Sequence, residues 1–344
     1  MSATPLLAIE DLRVHYVSAR GARVVRAVEE VSLTLNAGET LGIVGESGSG
    51  KTTLALAIMR LLPTAARIVG GAIRFEGEDL TQKSQAQMRH VRGKRIAMIL
   101  QDPMASLNPL FSVGDQVAEP LRVHESSGRR SAWGRAVELL RAVRIPAPDK
   151  RVREFPHQMS GGMRQRIVGA IAISCSPRLL IADEPTTSLD VTIQAQYLNL
   201  LRELQRRHGL ALIFITHNLG IVAKMCDRVA VMYAGRLVES GPVRTIFDAP
   251  AHPYTRALLE SMPRLTDDHQ HLTAIDGQPP DLSAPPSGCA FHPRCGAVMD
   301  QCRSEDPKTV ALTADHGARC WLAEPGKPAG IPLRRTPVRA GEPR

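Results

Sequence analysis

The stretch Gly45-Glu46-Ser47-Gly48-Ser49-Gly50-Lys51-Thr52 constrains this chain more than any other. It fits the pattern G-x-x-x-x-G-K-[ST], and the run Thr40-Leu41-Gly42-Ile43-Val44 before it has the apolar character of a buried strand. Leu54 to Met59 reads as a helix, so the glycines stand at a strand-to-helix turn, which predicts an α/β fold. There Gly48 and Gly50 let the backbone curl round a polyphosphate, while the amides and dipole of the helix N-terminus face the anion. Lys51 is placed to reach the β- and γ-phosphates, and the Thr52 hydroxyl to ligate magnesium. A Gly/Ser-rich helix entry that binds nothing is the bland alternative, and the strand-to-helix setting disfavours it. The motif points to a nucleotide without saying what its energy drives.

With 344 residues the chain has material for one large or two modest domains, and its charged fraction of 22% is ordinary for a soluble protein. No apolar run approaches the ~18 residues that span a bilayer. Met1 to Pro5 leads into fold-like sequence without the regions of a signal peptide, so a cytosolic chain is expected. The formal charge of +9 is spread along the chain, which argues for general surface charge over a nucleic-acid-binding block. Of the six cysteines, Cys175 and Cys226 stand alone in apolar surroundings and read as buried packing residues. The other four gather near the end of the chain.

Before the phosphate loop, Leu6 to Tyr16, Val24 to Leu35 and Thr40 to Val44 alternate apolar and polar residues, with Gly21 and Asn36-Ala37-Gly38 as turns. They predict an antiparallel β-layer feeding the strand before the loop. Tyr16 is placed either to stack on a base or simply to pack. Beyond the loop, Gly70 to Gly77 reads as a strand and turn, and Ile96 to Leu100 as a buried strand ending at Gln101, which either points at a magnesium and γ-phosphate position or is an ordinary surface loop residue. Between Pro103 and Ser176, helices are predicted over Val113 to Val123, Arg135 to Val143 and Arg164 to Ile173. Ser160-Gly161-Gly162 opens the last of these, either as a plain N-cap or as a second place for phosphate to dock. Leu179 to Glu184 is an apolar strand tipped by two carboxylates. Asp183 suits magnesium held through water, and Glu184 suits the attacking water, because paired acids at a buried tip need compensating charge. A helix from Val191 to Arg207 follows, then a strand from Ala211 to Thr216 with His217 at its end, either a structural residue or one in position to contact a γ-phosphate oxygen. A hairpin from Arg228 to Gly241 closes the unit near Phe247.

Taken in order, Tyr16, residues 45–52, Gln101, Ser160 to Gln165, Leu180 to Glu184, Ser188-Leu189-Asp190 and His217 resemble the ATPase subunit of an ATP-binding cassette (ABC) transporter. The resemblance covers residues 6–247 and implies that these are the adenine-stacking aromatic, Walker A, Q-loop, signature, Walker B, D-loop and switch histidine. Met159 precedes the signature where leucine is commoner, a volume-conserving change. The runs Gln101 to Pro109, Glu154 to Arg166, His252-Pro253-Tyr254-Thr255, Gly277 to Pro280 and Gly288 to Cys295 are similar to the dipeptide, oligopeptide and nickel importer group.

The fold so implied is an ABC-type P-loop ATPase, with a RecA-like core, an antiparallel β-layer and a helical subdomain over about residues 102–176. The nucleotide-binding domain would take residues 1–247, a Cys-containing extension 248–326, and a disordered tail 327–344. ATP would contact Tyr16, Gly45, Glu46, Ser47, Gly48, Ser49, Gly50, Lys51, Thr52, Thr53, Gln101, Asp183, Glu184 and His217. Ser160, Gly161 and Gly162 would close it from a facing protomer. Thr52, Gln101 and Asp183 would hold Mg2+, and Glu184, His217, Gln101 and Lys51 would carry catalysis. The implied partners are a related ATPase subunit in a heterodimer, two transmembrane permease subunits gripped near Gln101 to Val113 and, indirectly, an extracytoplasmic substrate-binding protein. The implied place is the cytoplasmic face of the inner membrane. The competing reading, a nucleic-acid-associated ABC ATPase, would call for a coiled-coil insert, a zinc hook or a second cassette, and the sequence shows none.

Cys289, Cys295, Cys302 and Cys320 are separated by five, six and seventeen residues. In a cytosolic chain four thiols this close favour a metal site over disulfides. The missing pair of two-residue spacers tilts the reading from zinc toward an iron–sulfur cluster, and the importer resemblance supports a 4Fe-4S cluster. Zinc and unliganded thiols remain as alternatives.

Overall fold

The computed structural model describes residues 4–18, 23–187, 189–262 and 275–324, without the side chains of residues 103 and 104. Ser188, the Gly21 turn and the 327–344 tail therefore lie outside the described residues.

Strands β1 (Leu7–Val17) and β2 (Val24–Leu35) form an antiparallel pair, and β3 (Thr40–Val44) leads into the phosphate loop and α1 (Lys51–Ile58). Then come β4 (Ala66–Phe75), β5 (Glu78–Asp79), α2 (Gln85–Val91) and β6 (Ile96–Ile99). A helical block follows: α3 (Pro103–Ser106), α4 (Val113–His124), α5 (Arg129–Ala142), α6 (Pro148–Arg151) and α7 (Gly161–Ile173). The chain returns through β7 (Leu179–Asp183), α8 (Val191–His208), β8 (Ala211–Ile215), α9 (Leu219–Met225), β9 (Arg228–Tyr233) and β10 (Arg236–Pro242). The last elements are α10 (Val243–Asp248), α11 (Pro253–Glu260), α12 (Asp300–Ser304), β11 (Val310–Ala311) and β12 (Gly317–Ala318).

Two sheets result, one of order β2-β1-β4-β5 and one of order β11-β12-β10-β9-β3-β8-β7-β6. In the larger sheet β9, β3, β8, β7 and β6 are parallel, while β10, β12 and β11 add antiparallel strands at one edge. Every residue of β3, β7 and β8 is buried, as expected of parallel strands covered on both faces. Alternation along β7 divides the core. Leu179 and Ile181 pack with α1 and the antiparallel layer, whereas Leu180 and Ala182 pack with the helical block.

Helix ends follow local chemistry. Ser112, Ser160 and Asp190 cap α4, α7 and α8 through side-chain oxygens, and Gly209 ends α8 in the left-handed region. The strand expected from Gly70 begins earlier, at Ala66. Gly70-Gly71 lies instead at a register shift against β1, where a Cβ on Gly71 would come within 2.4 Å of the Glu10 carbonyl oxygen. Helix α5 begins at Arg129 rather than Arg135 because its first turn is charged and carries no apolar period. Among the described residues no helix is long and apolar enough to cross a membrane.

Candidate functional site

The phosphate loop is wedged between two strands. A Cβ on residue 45 would meet the Met232 carbonyl oxygen of β9 at 2.2 Å, and one on residue 50 would meet the Ala27 carbonyl oxygen of β2 at 2.2 Å. Gly50 also has φ +101, so only glycine suits both the space and the conformation there. Lys51 is buried, and its Nζ donates to the carbonyl oxygens of Gly45 and Glu46, each at 2.8 Å, and to Ser49 Oγ at 3.3 Å. Burial pushes its pKa down, against the opposing pull of Glu184, Asp183 and Glu46. A cation is thus already held inside the curl where a polyphosphate would sit. Tyr16 lies at the far side of the loop, half-buried, with its hydroxyl 3.3 Å from Thr53 Oγ1.

Asp183, at the end of β7, is 2% exposed. Burial raises its pKa first and the charge of Glu184 adds to this, while a hydrogen bond from Thr52 and the charge of Lys51 oppose. Its Oδ1 is buried without a hydrogen-bond partner, a costly state for a carboxylate oxygen. An orphaned carboxylate oxygen beside a threonine hydroxyl fits a hard divalent cation such as magnesium.

Because β6, β7 and β8 run parallel side by side, the residues that follow them emerge at one sheet edge: Gln101, Glu184 and His217. The Glu184 carboxylate joins them. Its Oε2 accepts from Gln101 Nε2 at 3.3 Å and from Thr187 Oγ1 at 3.0 Å, and its Oε1 lies 3.2 Å from His217 Nδ1. Glu184 has φ +45, a left-handed conformation that its backbone N–H supports by donating to Ile215 O at 2.9 Å. The arrangement places a proton acceptor beside the cation-seeking Asp183 and the buried Lys51. That is the inventory for attack of water on a terminal phosphate.

The Ser160-Gly161-Gly162 element does not share these contacts. Ser160 Oγ accepts from Met163 N–H at 3.3 Å, and its hydrogen bonds stay within α7. Ser160 and Gly161 are exposed, while Gly162 lies against Ile193 of α8, where a Cβ would come within 2.8 Å.

Two further residues reach the loop from far along the chain. Arg294 forks onto the Glu46 carboxylate, Nη1 to Oε2 at 2.8 Å and Nη2 to Oε1 at 3.1 Å, and Tyr254 Oη accepts from the Glu46 N–H at 3.0 Å. Sequence reasoning named both only as parts of the importer-like runs. Nothing in spacing signals a contact across 248 residues.

The structure brings the four cysteines together but does not itself support the cluster expected there. Cys289, Cys295, Cys302 and Cys320 do line one cavity, yet its volume of about 10 Å³ is the space of roughly one water. Among the described residues no group of three or more His, Cys, Asp or Glu is arranged to hold a metal ion, and all six cysteines are free. Burial pushes the Cys289 thiol up to about 11 and Cys320 to about 12, and raises Cys295 as well. The donor set suits a soft metal.

Comparison with known proteins agrees with this geometry. The ABC transporter family model matches residues 28–187, and that of the oligopeptide/dipeptide transporter C-terminal region matches residues 238–302. The oligopeptide transport ATP-binding protein OppD of Bacillus subtilis (strain 168) is 50% identical over 327 residues, covering 94% of this chain and 91% of that protein. A putative peptide import ATP-binding protein of Brucella abortus (strain 2308) is 49% identical over 335 residues, covering 93% and 98%. Among solved structures, the dimeric post-hydrolysis state of the ATP-binding cassette MJ0796 bound to ADP and Pi superposes with TM-score 0.62 at 23% identity, over 69% of this chain and 99% of that one. The chain belongs to the ATP-binding proteins of ABC transporters, in the group that carries the oligopeptide/dipeptide transporter C-terminal region.

Proposed function

We propose that this chain binds and hydrolyses ATP to power an importer of di- or oligopeptides or a related small solute. The observation that carries the catalytic part is the convergence of Gln101, Thr187 and His217 on the Glu184 carboxylate, next to Asp183 and Lys51. Lys51 and the loop amides bind the β- and γ-phosphates, Tyr16 faces the base, and Thr52, Asp183 and Gln101 hold Mg2+, which supplies charge neutralisation at the phosphates. Glu184 accepts a proton from the attacking water, and His217 and Gln101 fix its orientation.

Ser160-Gly161-Gly162 completes the site of a facing subunit. Support comes from the exposure of Ser160 and Gly161 and from hydrogen bonds that leave the helix start turned toward solvent. ATP then stabilises the closed pair because it touches both halves, and hydrolysis removes that difference. The facing subunit is a related but distinct ATPase. Two permease subunits dock near residues 101–113, where Leu110 and Phe111 are 81% and 54% exposed, and an extracytoplasmic binding protein delivers the solute. The chain works at the cytoplasmic face of the inner membrane. Residues 1–247 form the nucleotide-binding domain, with its helical subdomain at about 102–176, and 248–326 an extension.

The four cysteines of that extension take a 4Fe-4S cluster, with zinc as the alternative. Their convergence from across the extension supports this, and the cavity must widen to admit it. Iron, sulfide and zinc analysis after anaerobic purification decides between the two, and finding none of them removes the assignment.

The motor reading is tested by Glu184→Gln in the assembled transporter. Turnover is expected to fall about a hundredfold or more, the scale of a lost general base, while ATP is retained in a closed pair. Normal turnover would remove Glu184 from the mechanism.

A further inference from the structure

We propose that Arg294 is a positioning residue for the phosphate loop, and that through it the four-cysteine node and the triphosphate site are energetically linked. The inference rests on residues 45–52 binding a triphosphate, and the experiment below separates failure of that reading from failure of the link.

Arg294 stands between Cys289 and Cys295 in the sequence, and its neighbours Phe291, His292 and Cys295 line the cavity that the four thiols share. Its side chain is 5% exposed and every nitrogen is engaged: Nε donates to Asp276 O at 2.9 Å, and Nη2 donates to Ile275 O at 3.2 Å as well as to Glu46. Nη1 donates to Glu46 and lies 3.3 Å from the Tyr233 hydroxyl. The guanidinium also lies over the Tyr233 ring at 5.8 Å and the Phe291 ring at 6.0 Å. A buried fork of this kind fixes a carboxylate in direction as well as distance.

The carboxylate it fixes belongs to the second residue of the phosphate loop. Tyr254 holds the same residue by its main-chain N–H, so Glu46 is pinned twice from beyond residue 248. Tyr254 itself packs on Tyr233 and Phe291, with ring centroids 4.6 and 5.3 Å away. Phe291 lines the cysteine cavity, and Cys289 N–H donates to Cys302 O at 2.9 Å. A rearrangement of the thiols therefore moves Phe291 and Arg294, and with them the loop whose amides must meet the phosphates. A loop already held in its binding shape binds more tightly than one that must be ordered. Linkage is reciprocal, so nucleotide at the loop also steadies the node.

The test is a double-mutant cycle on the full chain, reading the Kd of a fluorescent ATP analogue with Mg2+. Cys302→Ser and Cys320→Ser open the node at two positions that line the cavity and leave Arg294 itself unchanged. Each is expected to weaken binding by about fivefold or more, the lower end of ordinary coupling. In an Arg294→Gln background, the same serine changes should add nothing. Glu46→Gln breaks the fork from the loop side and must reproduce that result, which guards against an Arg294 variant that fails to fold. Arg294→Lys, which keeps charge without the fork, should fall between wild type and Arg294→Gln. Additive effects, or serine variants with wild-type affinity, overturn the link. If the wild-type chain does not bind the analogue, or Lys51→Ala leaves binding unchanged, the triphosphate reading itself has failed.

Discussion

His252 offers a prediction whose sign and size both follow from the structure. It is 2% exposed, its Nδ1 accepts from the Tyr254 N–H at 3.0 Å as the cap of α11, and burial depresses its pKa from 6.5 to about 3. The carboxylate of Glu239 faces it through the backbone N–H groups of Ala251 and His252, at 2.7 and 2.9 Å, and also pairs with His316 Nε2 at 2.8 Å. A base whose folded pKa lies below its unfolded value binds protons more readily when unfolded, so acid favours unfolding. The contribution is fully present above pH 6.5 and is lost as pH falls from there toward about 3. At one unit below the unfolded pKa, about pH 5.5, the loss is roughly 1.4 kcal/mol relative to about pH 7.5. His252→Asn keeps a side-chain acceptor for the helix start and removes the titrating group. Urea unfolding of both chains at the two pH values isolates the term, because every other group is common to the two chains. The variant should lose about 1.4 kcal/mol less than wild type over that interval. Equal losses would show that His252 is protonated without penalty in the folded chain, and the burial argument would be wrong.

Two other substitutions test the site and its support. Lys51→Ala removes a buried cation from the phosphate loop and should weaken ATP binding by about 1.5–3 kcal/mol, roughly tenfold or more in Kd; calorimetry with Mg·ATP checks it. Glu239→Ala strands two backbone N–H groups and His316 in the interior and should cost about 3–5 kcal/mol of stability, with Glu239→Gln losing less, as read from urea midpoints.

What the sequence disclosed, and what it withheld, divides along physical lines. The run from Thr40 through Thr52 carries its own geometry, because a strand, a glycine turn and a helix start are local properties. The fully buried β3, β7 and β8 likewise announce themselves as short apolar runs. Gln101, Glu184 and His217 could each be placed at a strand end, yet only the strand order β8-β7-β6 shows that one carboxylate gathers the other two. Thr187 is not legible in the sequence, because a loop hydroxyl three residues after an acid has no distinguishing pattern. Arg294 and Tyr254 are legible in the sequence only as parts of the importer-like runs, since no local signal tells a solvated arginine from one locked onto Glu46. The cysteines were legible as a cluster in sequence and do face one cavity. Its small volume was beyond reach of spacing, because it depends on how Phe291 and the flanking turns pack.

In the proposed mechanism a complete catalytic site needs two chains, one giving residues 45–52 and Glu184 and the other giving Ser160-Gly161-Gly162. The most direct test is ATP turnover per chain over a dilution series, alone and with the related ATPase and permease subunits, for wild type and Ser160→Arg. Turnover should rise with pairing and fall to background when the serine is replaced. Full turnover by the monomer at every dilution, unaffected by Ser160→Arg, would contradict it.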